Sequence, residues 1–192
     1  MQRALTIAAA ALVLSVAPAH AQGFGIKGGV SFGDVSNRGL LPGSLATRTG
    51  FAIGLGLSSS SGLLGFGAEG LYAQRGVGDA TDPNSRRLDY IDVPVYLRAM
   101  LPIPGLAPFA YAGPQFSFEL RCRAGGAPCP DANRSKTSYA ATIGAGARLG
   151  TSRALTIEGR YVYGLTDLKL GTVTDPQSYH TRSFLILMGI GF

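Results

Sequence analysis

The sequence predicts an all-β fold, an eight-stranded antiparallel transmembrane up-and-down β-barrel. Eight stretches alternate between large apolar side chains and small or polar ones, which is the period of a β-strand. The connections between the stretches alternate long and short, as in barrels that cross an outer membrane. After the N-terminal segment, no run reaches the about 18 apolar residues of a spanning helix, although the mean hydropathy is positive and the chain holds 28 glycines.

The N-terminal segment has the organisation of a secretory signal peptide. A basic start at Arg3 precedes an apolar run over 4–17 and the small-residue cleavage signal AHA over 19–21. A membrane-anchoring helix is the alternative, but this run is shorter than the about 20 residues that cross hydrocarbon. We therefore expect a cleaved signal peptide over 1–21 and a barrel domain over 22–192.

The first four stretches each have one large apolar face. They cover 23–32, 49–58, 63–74 and 90–101. Their apolar faces carry Phe24, Ile26, Val30 and Phe32; Phe51, Ile53, Leu55 and Leu57; Leu64, Phe66, Ala68 and Tyr72; and Ile91, Val93, Val95, Leu97 and Leu101. Because lipid surrounds the outside of such a barrel, we expect these faces to point outward.

The last four stretches repeat this pattern. They cover 107–121, 137–150, 154–165 and 180–192. Their apolar faces carry Ala110, Ala112, Phe116, Phe118 and Leu120; Tyr139, Ile143 and Leu149; Leu155, Ile157, Tyr161 and Tyr163; and Phe184, Ile186, Met188, Ile190 and Phe192. Leu185 and Leu187 fall on the opposite face, where the alternation does not explain them. Pro94 and Pro114 lie inside stretches, where each removes a ladder hydrogen bond, and predict β-bulges.

The connections predict the orientation of the barrel. The long ones cover 34–48, 76–87, 122–136 and 167–180, and the short ones cover 58–62, 102–106 and 150–153. Outer-membrane barrels have short periplasmic turns and long external loops, so both termini are expected on the periplasmic side.

The inward faces carry charges of both signs. Four are positive and four negative, and we expect them to pair as a polar plug: Lys27, Arg98, Arg148, Arg160, Glu69, Asp92, Glu119 and Glu158. The interior of an eight-stranded barrel is nearly filled by side chains, which favours a closed lumen. The alternative is a path for protons or ions, which would make the protein a small channel.

The external loops hold the two cysteines and an excess of positive charge. Cys122 and Cys129 lie in RCRAGGAPCP, and export to an oxidising compartment predicts a disulfide between them, whereas zinc usually needs four ligands. Basic residues of the same region are candidate contacts for the phosphates of lipopolysaccharide, with an ordinary solvated loop as the alternative: Arg121, Arg123, Arg134 and Lys136.

Three segments resemble the PorT-like family of bacterial outer-membrane β-barrel domain proteins. They are GIKGGVSFGDV over 25–35, YIDVPVYLRAML over 90–101 and PFAYAGPQFSF over 108–118. Asp92 and Pro94 match an acid-x-Pro pattern that recurs in that family. The terminal Phe192 is similar to the C-terminal aromatic residue that the barrel-assembly machinery reads in outer-membrane proteins. The resemblance implies an outer-membrane location and assigns no catalytic residue.

The remaining function classes find little support in the sequence. Two G-x-G-x-x-G matches, over 23–28 and 65–70, continue as strands and do not open the helix that a nucleotide site needs. His180 and Ser183 stand three apart on one strand, hence on opposite faces, which disfavours a Ser–His lipid-modifying enzyme. A soluble carrier barrel would need apolar residues inside. We expect no enzyme, cofactor, metal or nucleic-acid partner, and a monomer whose partners are the membrane, lipopolysaccharide and the assembly machinery.

Overall fold

Antiparallel strands account for most of the residues that the computed structural model describes, which are 22–35, 47–77, 86–124, 127–129, 136–150, 154–166 and 180–191. In these ranges the strands are β1 (Gln22–Val35), β2 (Arg48–Ser61), β3 (Leu64–Val77), β4 (Arg86–Met100), β5 (Leu106–Ala124), β6 (Ala127–Pro128), β7 (Thr137–Leu149), β8 (Ala154–Gly164) and β9 (Thr181–Gly191). The predicted signal peptide, Arg134, Phe192 and most of the predicted long loops lie outside the described residues.

Eight of these strands close into a ring in which consecutive ring strands pair and the first strand, β1, pairs with the last, β9. The order is β4-β3-β2-β1-β9-β8-β7-β5, and a further pairing of β4 with β5 closes it. The two-residue strand β6 pairs with β5 outside the ring. The predicted all-β, eight-stranded antiparallel barrel is therefore confirmed. Across the described residues, no helix is long and apolar enough to cross a membrane.

The two faces of each strand differ in exposure as the alternation predicts. In β9, Ile186 and Met188 are 44% and 52% exposed, whereas Leu187 between them is fully buried. The inward leucines are explained by packing, because they join an apolar cluster inside the lumen. This cluster contains Ala52, Ala73, Ala140, Val162, Leu185 and Leu187.

The two prolines interrupt the ladders without shifting their register. The β4–β5 ladder pairs Pro94 with Gln115, skips two residues on each strand including Pro114, and resumes at Leu97 with Ala112 in the same register. Pro94 falls in a similar gap between β3 and β4. The predicted bulges at the prolines are wrong, because a gap in the ladder already accommodates a residue without an N–H.

The β4–β5 pair extends farther on the long-loop side than the alternation predicts. Its register shifts between Asp89 and Tyr90, opposite Leu120, and pairing then continues as far as Arg86 with Ala124. Charged residues dominate this extension, so its sequence resembles a loop. We call it the external ribbon, defined as 86–89 of β4, 121–124 of β5, and β6 with Cys129.

Candidate functional site

Four charged side chains from three strands meet inside the lumen. This central charge cluster consists of Lys27 of β1, Glu69 of β3, and Glu158 and Arg160 of β8. The Lys27 ammonium donates to Glu69 Oε1 at 2.7 Å and to Glu158 Oε2 at 2.8 Å. The Arg160 Nη2 group donates to Glu69 Oε2 at 2.6 Å and to Glu158 Oε1 at 2.7 Å. Two cations and two carboxylates thus form a network that is formally neutral.

The cluster is deeply buried, which makes its pairing necessary. Arg160 is 1% exposed, Glu158 2% and Glu69 4%. An unpaired charge at this depth costs several kcal/mol. Arg160 and Glu69 lie 91 residues apart in sequence, so the network connects opposite parts of the chain across the barrel.

Two tyrosines complete the network by hydrogen-bonding its carboxylates. The Tyr96 hydroxyl donates to Glu69 Oε1 at 2.6 Å. The Tyr111 hydroxyl donates to Glu158 Oε1 at 2.9 Å and accepts from Arg160 Nε at 2.7 Å. The two tyrosine rings pack together with centroids 4.5 Å apart. The two tyrosine rings and the four charged side chains therefore fill the lumen at the same level of the barrel.

Two glycines provide the space that these rings occupy. Gly67 is paired with Tyr96, and Gly144 with Tyr111, on neighbouring strands. A Cβ built on Gly144 would lie 2.3 Å from Tyr111 Cζ, and one on Gly67 would lie 2.6 Å from the Tyr96 ring. The alternation of the sequence places these glycines on the inward face, but the strand pairing is needed to show which side chains lie over them.

A second polar group lies nearer the external ends of the strands. Asp92 of β4 pairs with Arg75 of β3 and accepts a hydrogen bond from the Ser117 hydroxyl at 2.6 Å. Gln115 donates to Ser117 Oγ at 3.2 Å, and the Arg75 guanidinium lies over the Tyr90 ring at 5.4 Å. We call Arg75, Asp92, Gln115 and Ser117 the Asp92 cluster. The sequence does not indicate Arg75 as a lumen charge, because this residue lies just past the predicted strand, beside a predicted loop.

The eight predicted lumen charges do not form a single cluster. The structure brings Lys27, Glu69, Glu158 and Arg160 together and gives Asp92 a different cation, Arg75. Arg98 and Arg148 instead line a cavity at the short-turn end. Glu119, which is half-buried, lies near the external end of β5. The expectation that all eight charges form one plug is therefore wrong. Residues that share the inward face can lie at different levels of the barrel and then do not meet.

The external ribbon is pinned by the predicted disulfide. Cys122 and Cys129 are bonded with Cα atoms 5.4 Å apart, and the Cys129 N–H donates to the Cys122 carbonyl at 3.2 Å. Arg121 and Arg123 flank Cys122 on β5 and are exposed, as is Lys136 before β7. Arg87 pairs with the buried Asp89 at 3.0 Å. The ribbon therefore presents exposed arginines on a cross-linked backbone.

Replacing both cysteines, Cys122→Ser with Cys129→Ser, is expected to loosen the ribbon and leave the barrel intact. The bond has a sequence separation of 7 and joins the external end of β5, where Cys122 pairs with Leu88 of β4, to the residue that follows β6. We expect faster trypsin cleavage after Arg121 or Arg123, measured by mass spectrometry, and an unchanged midpoint of barrel unfolding. A lower unfolding midpoint in the serine variant would show that the bond supports the barrel itself.

Neither a metal site nor the Ser–His pair considered from the sequence has a positive observation among the described residues. In this part of the chain, no group of three or more His, Cys, Asp or Glu side chains is placed to hold a metal ion. His180 lies beside Tyr163, with ring centroids 5.7 Å apart, whereas Ser183 is buried at 2% exposure. This arrangement offers no observation in favour of a Ser–His pair.

Comparison with known proteins agrees with the architecture. The model of the family described as outer membrane protein beta-barrel domain matches residues 6–192. The chain belongs to this family. It is therefore a protein of the bacterial outer membrane, in which the apolar outer wall of the barrel faces lipid.

Solved structures of other small outer-membrane barrels are similar to this chain. Neisserial surface protein A (NspA) is 13% identical with a TM-score of 0.56, covering 89% of this chain and 97% of that one. Ail, the attachment invasion locus protein of Yersinia pestis, is 14% identical with a TM-score of 0.50, covering 88% and 98%. At such identities the likeness concerns the fold alone. A search of curated proteins gave no match.

Proposed function

We propose that this protein is a non-conducting outer-membrane barrel that uses its external ribbon for contact with anionic groups at the cell surface. The observation that carries the first half is the central charge cluster. Its buried ion pairs and the tyrosines bonded to them occupy the lumen, and the apolar cluster and the Asp92 cluster add further buried side chains. An eight-stranded barrel has little interior space beyond its own side chains.

The refolded protein in a planar bilayer is expected to show no steady single-channel openings. Folding of the protein is verified separately by the heat-dependent shift in gel mobility that folded barrels show. Stable openings of reproducible size would instead favour the second candidate function, a small channel. Arg98, Arg148 and Arg160 would then be the first residues to neutralise.

The second half of the proposal rests on the charges of the external ribbon. Arg121 and Arg123 are exposed on a strand end that is held by the disulfide, and Lys136 is exposed at the start of the next strand. Arginine forms bidentate hydrogen bonds with phosphate, and a pre-ordered backbone reduces the entropy lost on binding. Lipopolysaccharide carries phosphates in the leaflet that surrounds this end of the barrel. Arg134, the fourth candidate contact, lies outside the described residues.

The variant Arg121→Gln/Arg123→Gln is expected to bind lipopolysaccharide micelles about tenfold more weakly, with a smaller dependence on salt. The measurement is a titration of the folded protein, in a nonionic detergent, with lipopolysaccharide. A label on the barrel reports the binding. Arg153→Gln, in the predicted short turn at the other end, is the matched control. Equal weakening by the control would point to net charge as the cause and would contradict a contact at the ribbon.

The sequence supports three further proposals, on the subclass of the barrel, its export and its assembly. The three segments that resemble the PorT-like family fall on β1, β4 and β5, and we infer membership of that subclass from them. We also propose that the signal peptide over 1–21 is cleaved on export and that Phe192 is read by the barrel-assembly machinery.

A further inference from the structure

A small basic cavity lies at the short-turn end of the lumen. Its volume is about 70 Å³, and its charged lining residues are Lys27, Glu69, Arg98 and Arg148. The lining includes Ala154, which begins β8, and Gly191, which ends β9. The cavity thus reaches the rim that faces the periplasm, and we call it the periplasmic vestibule.

Among the described residues that line the vestibule, positive charge is in excess. Three cations and one carboxylate line it. The carboxylate belongs to the central charge cluster, where both oxygens of Glu69 already accept from Lys27, Tyr96 and Arg160. The other carboxylate of that cluster, Glu158, is likewise engaged through both oxygens. Two positive charges, on Arg98 and Arg148, are left without an acidic partner in the described part of the chain.

Both arginines are positioned by their neighbours in the sheet. The Arg98 guanidinium lies over the Phe109 ring at 5.8 Å, and its buried Nε has no hydrogen-bond partner among the described residues. Arg148 is paired with Thr156 on the next strand, and Thr156 also lines the vestibule. Two guanidinium groups and a hydroxyl therefore border one space. Guanidinium groups recognise oxyanions through several parallel N–H donors.

We propose that the periplasmic vestibule binds a phosphate group. The two arginine charges are opposite in sign to a phosphate group, which carries about one negative charge as a phosphodiester and about one to two as inorganic phosphate at neutral pH. The volume is several times the about 10–15 Å³ needed by one water, and it is far below the about 300–1,000 Å³ of pockets for drug-sized ligands. The group comes either from free phosphate in the periplasm or from the headgroup of a phospholipid in the facing leaflet. This site is at the opposite end from the external ribbon, so either proposal can fail without the other.

The test is calorimetric titration of the folded protein in octyl glucoside, which contains no phosphate, at constant ionic strength. One arm uses inorganic phosphate and the other uses dihexanoyl phosphatidylglycerol below its micelle concentration. We expect saturable binding of at least one probe. Binding only of inorganic phosphate identifies the free anion as the ligand, and binding only of the lipid identifies the headgroup. Failure of both probes to bind saturably overturns the proposal.

Variants locate the binding within the barrel. Arg98→Gln/Arg148→Gln is expected to weaken it by about tenfold or more, and the charge-conserving Arg98→Lys/Arg148→Lys is expected to retain part of it. Arg148→Gln alone serves if the double variant does not fold, because Arg148 is only half-buried. Arg182→Gln, at an exposed position at the external end, is the control. If the folded glutamine variants bound the probe with wild-type affinity, the assignment of the phosphate site to Arg98 and Arg148 would be wrong.

Discussion

Replacing Glu158 with alanine is expected to lower the free energy of unfolding by about 3 kcal/mol. The change leaves the central charge cluster with two cations and one carboxylate, and Arg160 at 1% exposure loses one of its two acidic partners. Removing one partner of a buried pair typically costs about 3–5 kcal/mol, and the lower end applies because Glu69 still binds both cations. Urea unfolding in detergent micelles, followed by gel mobility, measures the difference.

The matched control for this change is Glu119→Ala, which removes a carboxylate from a half-buried position near the external end of β5. We expect a loss below about 1 kcal/mol there, because solvent screens ion pairs that are not fully buried. Equal losses at Glu119 and Glu158 would mean that the central cluster is not the main electrostatic stabiliser of the lumen. A stability of Glu158→Ala within error of wild type would remove the basis for a closed plug.

Replacing Gly144 with valine is expected to cost about 3 kcal/mol. Its Cβ would lie 2.3 Å from Tyr111 Cζ, so the ring must leave its position. The displaced hydroxyl would then lose its bonds with Glu158 and Arg160 inside the barrel. Gly144 does not have a positive φ, so the expected effect is steric and does not arise from backbone strain. Urea unfolding gives the magnitude, and near-ultraviolet circular dichroism follows tyrosine packing in a chain without tryptophan.

Gly70→Val is the matched control for the glycine prediction. Gly70 is exposed on the outer wall of β3, and a Cβ built on it meets no atom within 4 Å. We expect a change within about 0.5 kcal/mol, as for other exposed substitutions. A comparable loss in both variants would indicate a general intolerance of side chains at strand glycines, contrary to a specific Gly144–Tyr111 contact.

The chain organisation was predictable because it depends on local periodicity. Alternation places Glu69, Tyr96, Tyr111, Glu158 and Arg160 on the inward face without any knowledge of pairing. The disulfide was also predictable, since the cysteines are close in sequence and the N-terminal segment predicts export to an oxidising compartment. The extension of β4 and β5 into the external ribbon was not predictable. Its residues are mostly charged, and its strand conformation depends on the pairing of β4 with β5 beyond the membrane.

The contents of the lumen show where prediction from sequence ends. By itself, the sequence determined the number of strands, their inward and outward faces and the outer-membrane location, because each follows from patterns within about ten residues. Only the tertiary structure decided that Asp92 pairs with Arg75, that Glu69 meets Arg160, and that Arg98 and Arg148 border the periplasmic vestibule. The physical reason is the register between strands. Tilt and stagger set which inward residues share a level, and that relation is a property of the closed ring rather than of any one strand.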